Sequence, residues 1–254
     1  AEWGVSMRLD SAIRFPWQMT LGAIQDTNLI YKMGVEIARQ CKLLGIHINF
    51  APVVDVNSNP NNPIINNRSF GEDPLHVSTL GVAYMKGMQN NQILACAKHF
   101  PGHGDTKVDS HLDLPIVEND LNRLKKLELI PFKALIDKGV NSVMTAHILL
   151  KNIDKVNLAT FSKKILIDLL RETLDFEGIV VTDALIMEAI TKRYSSGEAA
   201  VMAFEAGADL ILMPKKPYEA IDAIADAIIT GVIPITRLEE SLDRKNRELA
   251  KLNQ

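Results

Sequence analysis

Five short apolar runs alternate with longer amphipathic stretches, and this alternation restricts the chain to an α/β architecture. The runs are 46–54 (IHINFAPVV), 93–100 (ILACAKHF), 141–148 (NSVMTAHI), 177–183 (EGIVVTD) and 208–213 (ADLILM). Each is nearly continuous in apolar residues, as strands of a parallel sheet buried on both faces are. Helical patterns fill the gaps at 26–44, 74–90, 119–138, 162–174 and 197–206. Two more, 218–230 and 236–252, lie around Gly231 and Pro234. Gly45, Gly139, Gly178 and Gly207 stand where helix C-termini are expected. Asp26, Asn119 or Asp120, and Ser162 are N-cap candidates.

Two architectures fit: an open doubly wound sheet, or a (β/α)8 barrel missing its first strands. Both place chemistry at the C-terminal ends of strands. Asp55, Lys98-His99, His147 and Asp183 each close a different run. Polar groups converging from many strands suit a barrel mouth better than a single crevice. No Gly-x-Gly-x-x-Gly follows any run, which weakens a dinucleotide-binding reading. The expectation is one domain over 1–254.

Composition removes several classes. With 28 basic and 31 acidic residues the net charge is −3, which gives no support for a nucleic-acid groove or a polybasic membrane surface. No run of eighteen apolar residues offers a membrane-spanning helix. Cys41 and Cys96 allow at most one bridge, so they build no disulfide framework and leave the redox compartment undecided between cytoplasm and periplasm.

The densest chemical signal is KHFPGHGDTKVDSH, 98–111, which holds three of the six histidines. It runs from a strand end into a loop reaching about Val117, and a loop of that length in a compact domain is usually functional. Two readings compete. His99, His103, Asp105 and His111 are the right residue types for zinc, but neither helix nor strand geometry makes their spacing converge. Alternatively, Asp109 and His111 form a proton-transfer dyad. Two residues apart in an extended segment, they point the same way. A carboxylate fixes the imidazole tautomer and raises its pKa, as a general acid that later acts as base requires. Each residue alone also fits a turn cap; the cluster favours function.

Asp183 ends an apolar run immediately before a helical pattern. It reads equally as a helix N-cap and as an ionised nucleophile. Arg68 sits in the Asn- and Pro-rich stretch NPNNPIINNRSFGEDP, 59–74. There it serves either as a grip on ligand hydroxyls or as a partner for Glu72 and Asp73. His47 and His76 read as structural. Trp3, Phe15, Pro16 and Trp17 read as packing in preference to a sugar-stacking patch.

Taken in order, NFAPVVDVNSNPNNPIINNRSFGEDP, KHFPGHGDTKVDSH, VMTAHI, FEGIVVTDAL and AFEAGADLILMP resemble glycoside hydrolase family 3, and within it the bacterial β-N-acetylglucosaminidase branch. The resemblance covers essentially the whole chain. It implies a TIM-type (β/α)8 barrel with Asp183 as nucleophile and His111, paired with Asp109, as acid/base. Arg68, Lys98 and His99 would bind the N-acetylglucosamine ring, with Arg8 as a further sugar contact. It implies no metal or organic cofactor. The partner would be a small GlcNAc-containing carbohydrate, plausible as a peptidoglycan fragment, with neither nucleic acid nor membrane insertion. The family's opening motif, Asp-x-Glu-Gly-Gly, appears as Ala1-Glu2-Trp3-Gly4, with Trp3 in place of a Gly. Its Asp and about three barrel strands are expected before Ala1, and an additional domain is expected in the intact protein. The mechanism implied is retaining exo-hydrolysis through a covalent glycosyl-enzyme. Phosphorolysis and a non-catalytic sugar-binding barrel are the alternatives.

Overall fold

A computed structural model of the chain describes residues 1–106 and 114–253. Its strands are β1 (Ile48–Asn49), β2 (Leu94–Phe100), β3 (Ile116–Val117), β4 (Ser142–Thr145), β5 (Leu149–Leu150) and β6 (Ile179–Val181). The helices are α1 (Gln18–Leu21), α2 (Thr27–Leu43), α3 (Pro74–Gln89), α4 (Leu121–Lys126), α5 (Leu129–Asp137), α6 (Glu188–Thr191), α7 (Ser196–Ala206), α8 (Pro217–Ile229) and α9 (Ile235–Ala250). Lys164–Thr173 is a π-helical segment.

The main sheet is parallel in the order β1-β2-β4-β6. A parallel bridge between Val181 and Leu210 adds the fifth apolar run. Each unit lays its strand beside the previous one, always on the same side. A doubly wound sheet would reverse direction at a switch point, so the unbroken order is that of a barrel wall.

Period-two alternation gives this wall two faces. Ala95, Ala97, Val143 and Val180 point outward into the main core, where they meet Ile37, Tyr84, Phe132 and Leu135 from the helices. Cys96, Met144, Ile179 and Val181 point inward and pack with half-buried Phe50, Leu210 and Leu212. Both cysteines are buried free thiols. On the outer layer, α2 and α3 touch through glycine. A Cβ on Gly87 would lie 2.2 Å from the Tyr31 carbonyl oxygen, and one on Gly34 would lie 2.6 Å from that of Tyr84.

Three expected elements come out differently. Run 46–54 keeps only two strand residues, because Pro52 has no N–H to offer the ladder. The Ala51 N–H turns back to Asn49 O, and pairing resumes where Val54 N–H meets Lys98 O at 2.8 Å. The helix expected over 119–138 divides into α4 and α5. Pro131 cannot complete the hydrogen bond across Leu127, so the chain breaks there. The loop expected to reach Val117 ends sooner, because β3 pairs in parallel with β5.

The caps are mostly those expected. Asp26 accepts from Asn28 N–H, and Asp120 from Arg123 N–H. Ser162 is not a side-chain cap: its hydroxyl donates instead to Asp154 Oδ2 at 2.7 Å. Ser195 and Glu198 form a reciprocal capping box at the start of α7, which the sequence reading passed over.

Asp209 ties the last helix to the sheet. Its fully buried carboxylate accepts from Val180 N–H and Arg171 Nη2 on one oxygen, and from Ser241 Oγ, Arg237 Nη1 and Arg244 Nη1 on the other. Asp209→Ala leaves three arginines, Arg171, Arg237 and Arg244, without their shared partner. Breaking a buried pair from one side costs about 3–5 kcal/mol. That loss is expected in urea denaturation, and a loss below about 1 kcal/mol would show that the arginines relax freely into solvent.

Candidate active site

The site is assembled from residues that leave the C-terminal ends of neighbouring strands. Asp55 follows the first run and is fully buried. Its Oδ2 accepts from the His99 backbone N–H at 3.0 Å and lies 2.8 Å from His99 Nδ1. Its Oδ1 accepts from the His103 backbone N–H at 2.7 Å. Burial pushes the Asp55 pKa up, but the electrostatic pull and hydrogen bonds of His99, with His103 behind them, outweigh it and hold the carboxyl below its usual range. This network assigns the His99 proton to Nδ1. Nε2 is then left as the acceptor facing Arg68 Nη2 at 3.4 Å.

His103 fixes the turn that follows. Its Nδ1 lies 2.8 Å from Thr106 Oγ1, whose hydroxyl donates to His103 O. Asn62 Nδ2 donates to the same carbonyl. Burial above all, with the neighbouring His99 ring adding to it, lowers the His103 pKa to about 4, so its ring is neutral at physiological pH. Gly104 is obligatory in this turn, since a Cβ there would stand 1.7 Å from Val56 O.

A second cluster joins Glu2, Arg68 and Lys98. Glu2 is 5% exposed. Its Oε2 accepts from Arg68 Nε at 2.9 Å, and its Oε1 lies 2.7 Å from both Arg68 Nη2 and Lys98 Nζ. Arg68 therefore pairs with Glu2, not with the Glu72 and Asp73 beside it in sequence. Burial raises the Glu2 pKa, but Lys98 and Arg68 lower it further, and the net position is well below the usual carboxylate range.

Asp183 follows β6. The helix read directly after it begins only at Glu188, with Met187 at its N-cap position, so Asp183 caps no helix. Its Oδ1 accepts from the adjoining Ala184 N–H at 2.7 Å, and among the described residues it has no ion-pair partner. Burial pushes its pKa up. The electrostatic influence of His99 and His147, the Ala184 amide and the Lys98 ammonium together bring it below the ordinary value. His147, fully buried, lies 2.8 Å from Thr160 Oγ1 through Nδ1 and 3.2 Å from Ala184 O through Nε2, and so braces the backbone beside Asp183.

The structure thus brings Arg68, Lys98, His99 and Asp183 into one electrostatic neighbourhood. It does not bring Arg8 there. Arg8 is exposed, donates to Met7 O and lies with Leu9, Leu44 and Ile46. Asp109 and His111 lie outside the described residues. Of the four histidine and aspartate metal candidates, His99 and His103 have Nδ1 committed to Asp55 and Thr106, and Asp105 accepts from Asn119. No three metal-ligating side chains gather among the described residues. Glu2, Asp55 and His147 also belong to the candidate site, although the sequence assigns none of them an individual role. For Asp55 and His147 the signal was their position directly after an apolar run. For Glu2 it was its place in the opening motif.

The model of the glycosyl hydrolase family 3 N-terminal domain matches residues 1–247. The chain belongs to this family. Beta-hexosaminidase A of Pseudoalteromonas piscicida is 37% identical over 96% of this chain and 45% of its own length. A beta-hexosaminidase of Nitrosomonas eutropha is 35% identical over 83% and 62%. The solved structure of a glycoside hydrolase family 3 beta-N-acetylglucosaminidase from Paenibacillus sp. str. FPU-7 superposes with a TM-score of 0.95 at 41% identity, covering all of this chain and 49% of that one. The wall of parallel strands is accordingly that of the family's TIM-type barrel, and the chain spans about half the length of several relatives it matches.

The directions of these pKa shifts give this family 3 site a signed pH dependence. The His103 and His147 pKa values are lowered on folding, mainly by burial, so the unfolded chain binds more protons below the ordinary histidine value of about 6.5. Glu2, Asp55 and Asp183 are lowered too. The stability they contribute is complete above the ordinary carboxylate value of about 4 and is lost as pH falls through their folded values. The free energy of unfolding is expected to decline from about pH 6.5 downward and more steeply below about pH 4. His103→Gln should flatten the first slope. A profile level down to pH 4 in the wild-type protein would contradict the buried neutral histidines.

Proposed function

We propose that the chain carries the catalytic barrel of a retaining exo-acting β-N-acetylglucosaminidase. It removes terminal non-reducing β-linked GlcNAc, with peptidoglycan fragments as the source. The observation that supports this most is Asp183. It is an ionised, half-buried carboxylate at a strand's C-terminal end, in the field of His99, His147 and Lys98 yet free of an ion pair among the described residues. A carboxylate in that state keeps its lone pairs for attack.

Asp183 attacks the anomeric carbon and the aglycone oxygen departs with a proton from His111, which Asp109 orients. In the second step His111 takes a proton from water, which opens the glycosyl ester and frees Asp183. Arg68, Lys98 and His99 hold the ring hydroxyls. When the acceptor attacks, Asp183 is held in the glycosyl ester, so Glu2 and Asp55 stand against Arg68 and Lys98 with no net anionic excess. Water is the acceptor in this reading, and phosphate is the rival that the experiment below separates from it.

An activated fluorosugar analogue of β-GlcNAc should leave a stable adduct on the peptide containing Asp183 in the full-length protein, read by intact mass and peptide mapping. Asp183→Ala should lose roughly a thousandfold or more in turnover while sugar binding survives. Near-full activity in that variant would remove the nucleophile assignment. His111→Ala should lose about 10²–10⁴-fold on poor leaving groups and far less on a nitrophenyl glycoside. Equal losses on the two would exclude the acid role. Added phosphate should change neither product nor rate, and a glycosyl phosphate product would establish phosphorolysis instead.

A further inference from the structure

We infer that Glu2 is a positioning residue for this site: it gathers Arg68 and Lys98 into a single cationic edge for the sugar and holds the Lys98 ammonium away from Asp183. The inference deepens the glycosidase reading above and rests on it.

The geometry is unusually complete for a residue that makes no chemistry of its own. One oxygen of Glu2 lies 2.7 Å from both Arg68 Nη2 and Lys98 Nζ, and the other takes Arg68 Nε at 2.9 Å. Three of its four lone-pair directions are therefore occupied, and little is left for a ligand. The segment that carries it is fixed from behind. Tyr84, fully buried, donates its hydroxyl to the carbonyls of Ala1 and Glu2 at 3.1 and 3.0 Å, and Asn49 Nδ2 donates to Ala1 O at 3.1 Å. The Glu2 carboxylate thus reports the position of α3 and β1 to the sugar pocket.

Its electrostatic consequence follows from what surrounds Lys98. The ammonium is within range to influence Asp183 but does not pair with it; among the described residues its ion-pair partner is Glu2. Two cations drawn to one carboxylate stay side by side, where unassisted they would repel. With Glu2 neutral, the Lys98 stem is free to swing toward the next available carboxylate, Asp183. An ion pair there would occupy the oxygens that must attack.

The test uses the full-length protein, with Glu2→Gln, Glu2→Asp, Lys98→Met and the Glu2→Gln/Lys98→Met pair. Turnover of an aryl N-acetyl-β-glucosaminide and GlcNAc affinity by calorimetry are read beside the thermal midpoint. Glu2→Gln is expected to lose about 30-fold in kcat/KM, within the range of coupled neighbours, and Glu2→Asp should recover part of it. The double variant is expected to lose clearly less than the product of the two single losses, because part of the Glu2 effect runs through Lys98 and the rest through Arg68. Losses that multiply, or a Glu2→Gln enzyme with wild-type kcat/KM, would overturn the inference. Should Glu2→Gln fail to fold, Glu2→Asp with and without Lys98→Met decides the same comparison. A wild-type protein that binds GlcNAc without hydrolysing glycosides would overturn the hydrolase reading alone, since the variant comparison then stands as affinity. Absence of both turnover and binding would overturn both.

Discussion

The carboxylate of Asp55 is the interaction on which the rest of the site is hung. It sits at a strand end with no exposure to solvent and accepts three N–H groups from the neighbouring strand end. A buried carboxylate left unpaired would be expensive, so each of these bonds is obligatory. Two of them fix the backbone between His99 and His103, and the third fixes the His99 ring. His99 in turn faces Arg68 and adds to the field that keeps Asp183 ionised. A single satisfied charge therefore sets a strand end, a ring tautomer and the start of the loop that continues toward Asp109 and His111.

The pocket is built as interlocked opposite charges in place of isolated ones. Glu2 is shared by Arg68 and Lys98, Asp55 is held by His99 and His103, and Asp183 is stabilised by the Ala184 amide and by the field of its neighbours, with no ion pair among the described residues. This division has a chemical logic. The first two carboxylates are spent on geometry, and the third is kept accessible. On the other side of the fold, Asp209 shows the purely structural use of the same physics, with arginines from Lys164–Thr173 and α9 converging on one buried carboxylate.

Much of this was legible in the order of residues. Apolar runs ending in Asp55, Lys98-His99, His147 and Asp183 placed the chemistry at strand ends, because period and polarity are local properties that a sequence displays directly. What escaped the reading depended on distance. Arg68 pairs with Glu2, 66 residues away, instead of with its neighbours Glu72 and Asp73. Asp183 read equally as a helix cap and as a nucleophile, and only the structure removes the cap, since the helix starts five residues later. Arg8 lies in the same opening segment as Glu2 but, beyond the Val5–Met7 turn, its exposed guanidinium donates to Met7 O and not to the charged cluster.

The sequence by itself determined the alternation of strand and helix, the parallel order, the family and the residue types at the strand ends. All of these rest on short-range periodicity or on motifs that survive as strings. Only the tertiary structure decided which charges meet, which histidine nitrogen carries the proton, and that Glu2 belongs to the site. Those outcomes depend on packing that brings residues dozens of positions apart within 3 Å, and no local pattern encodes such distances.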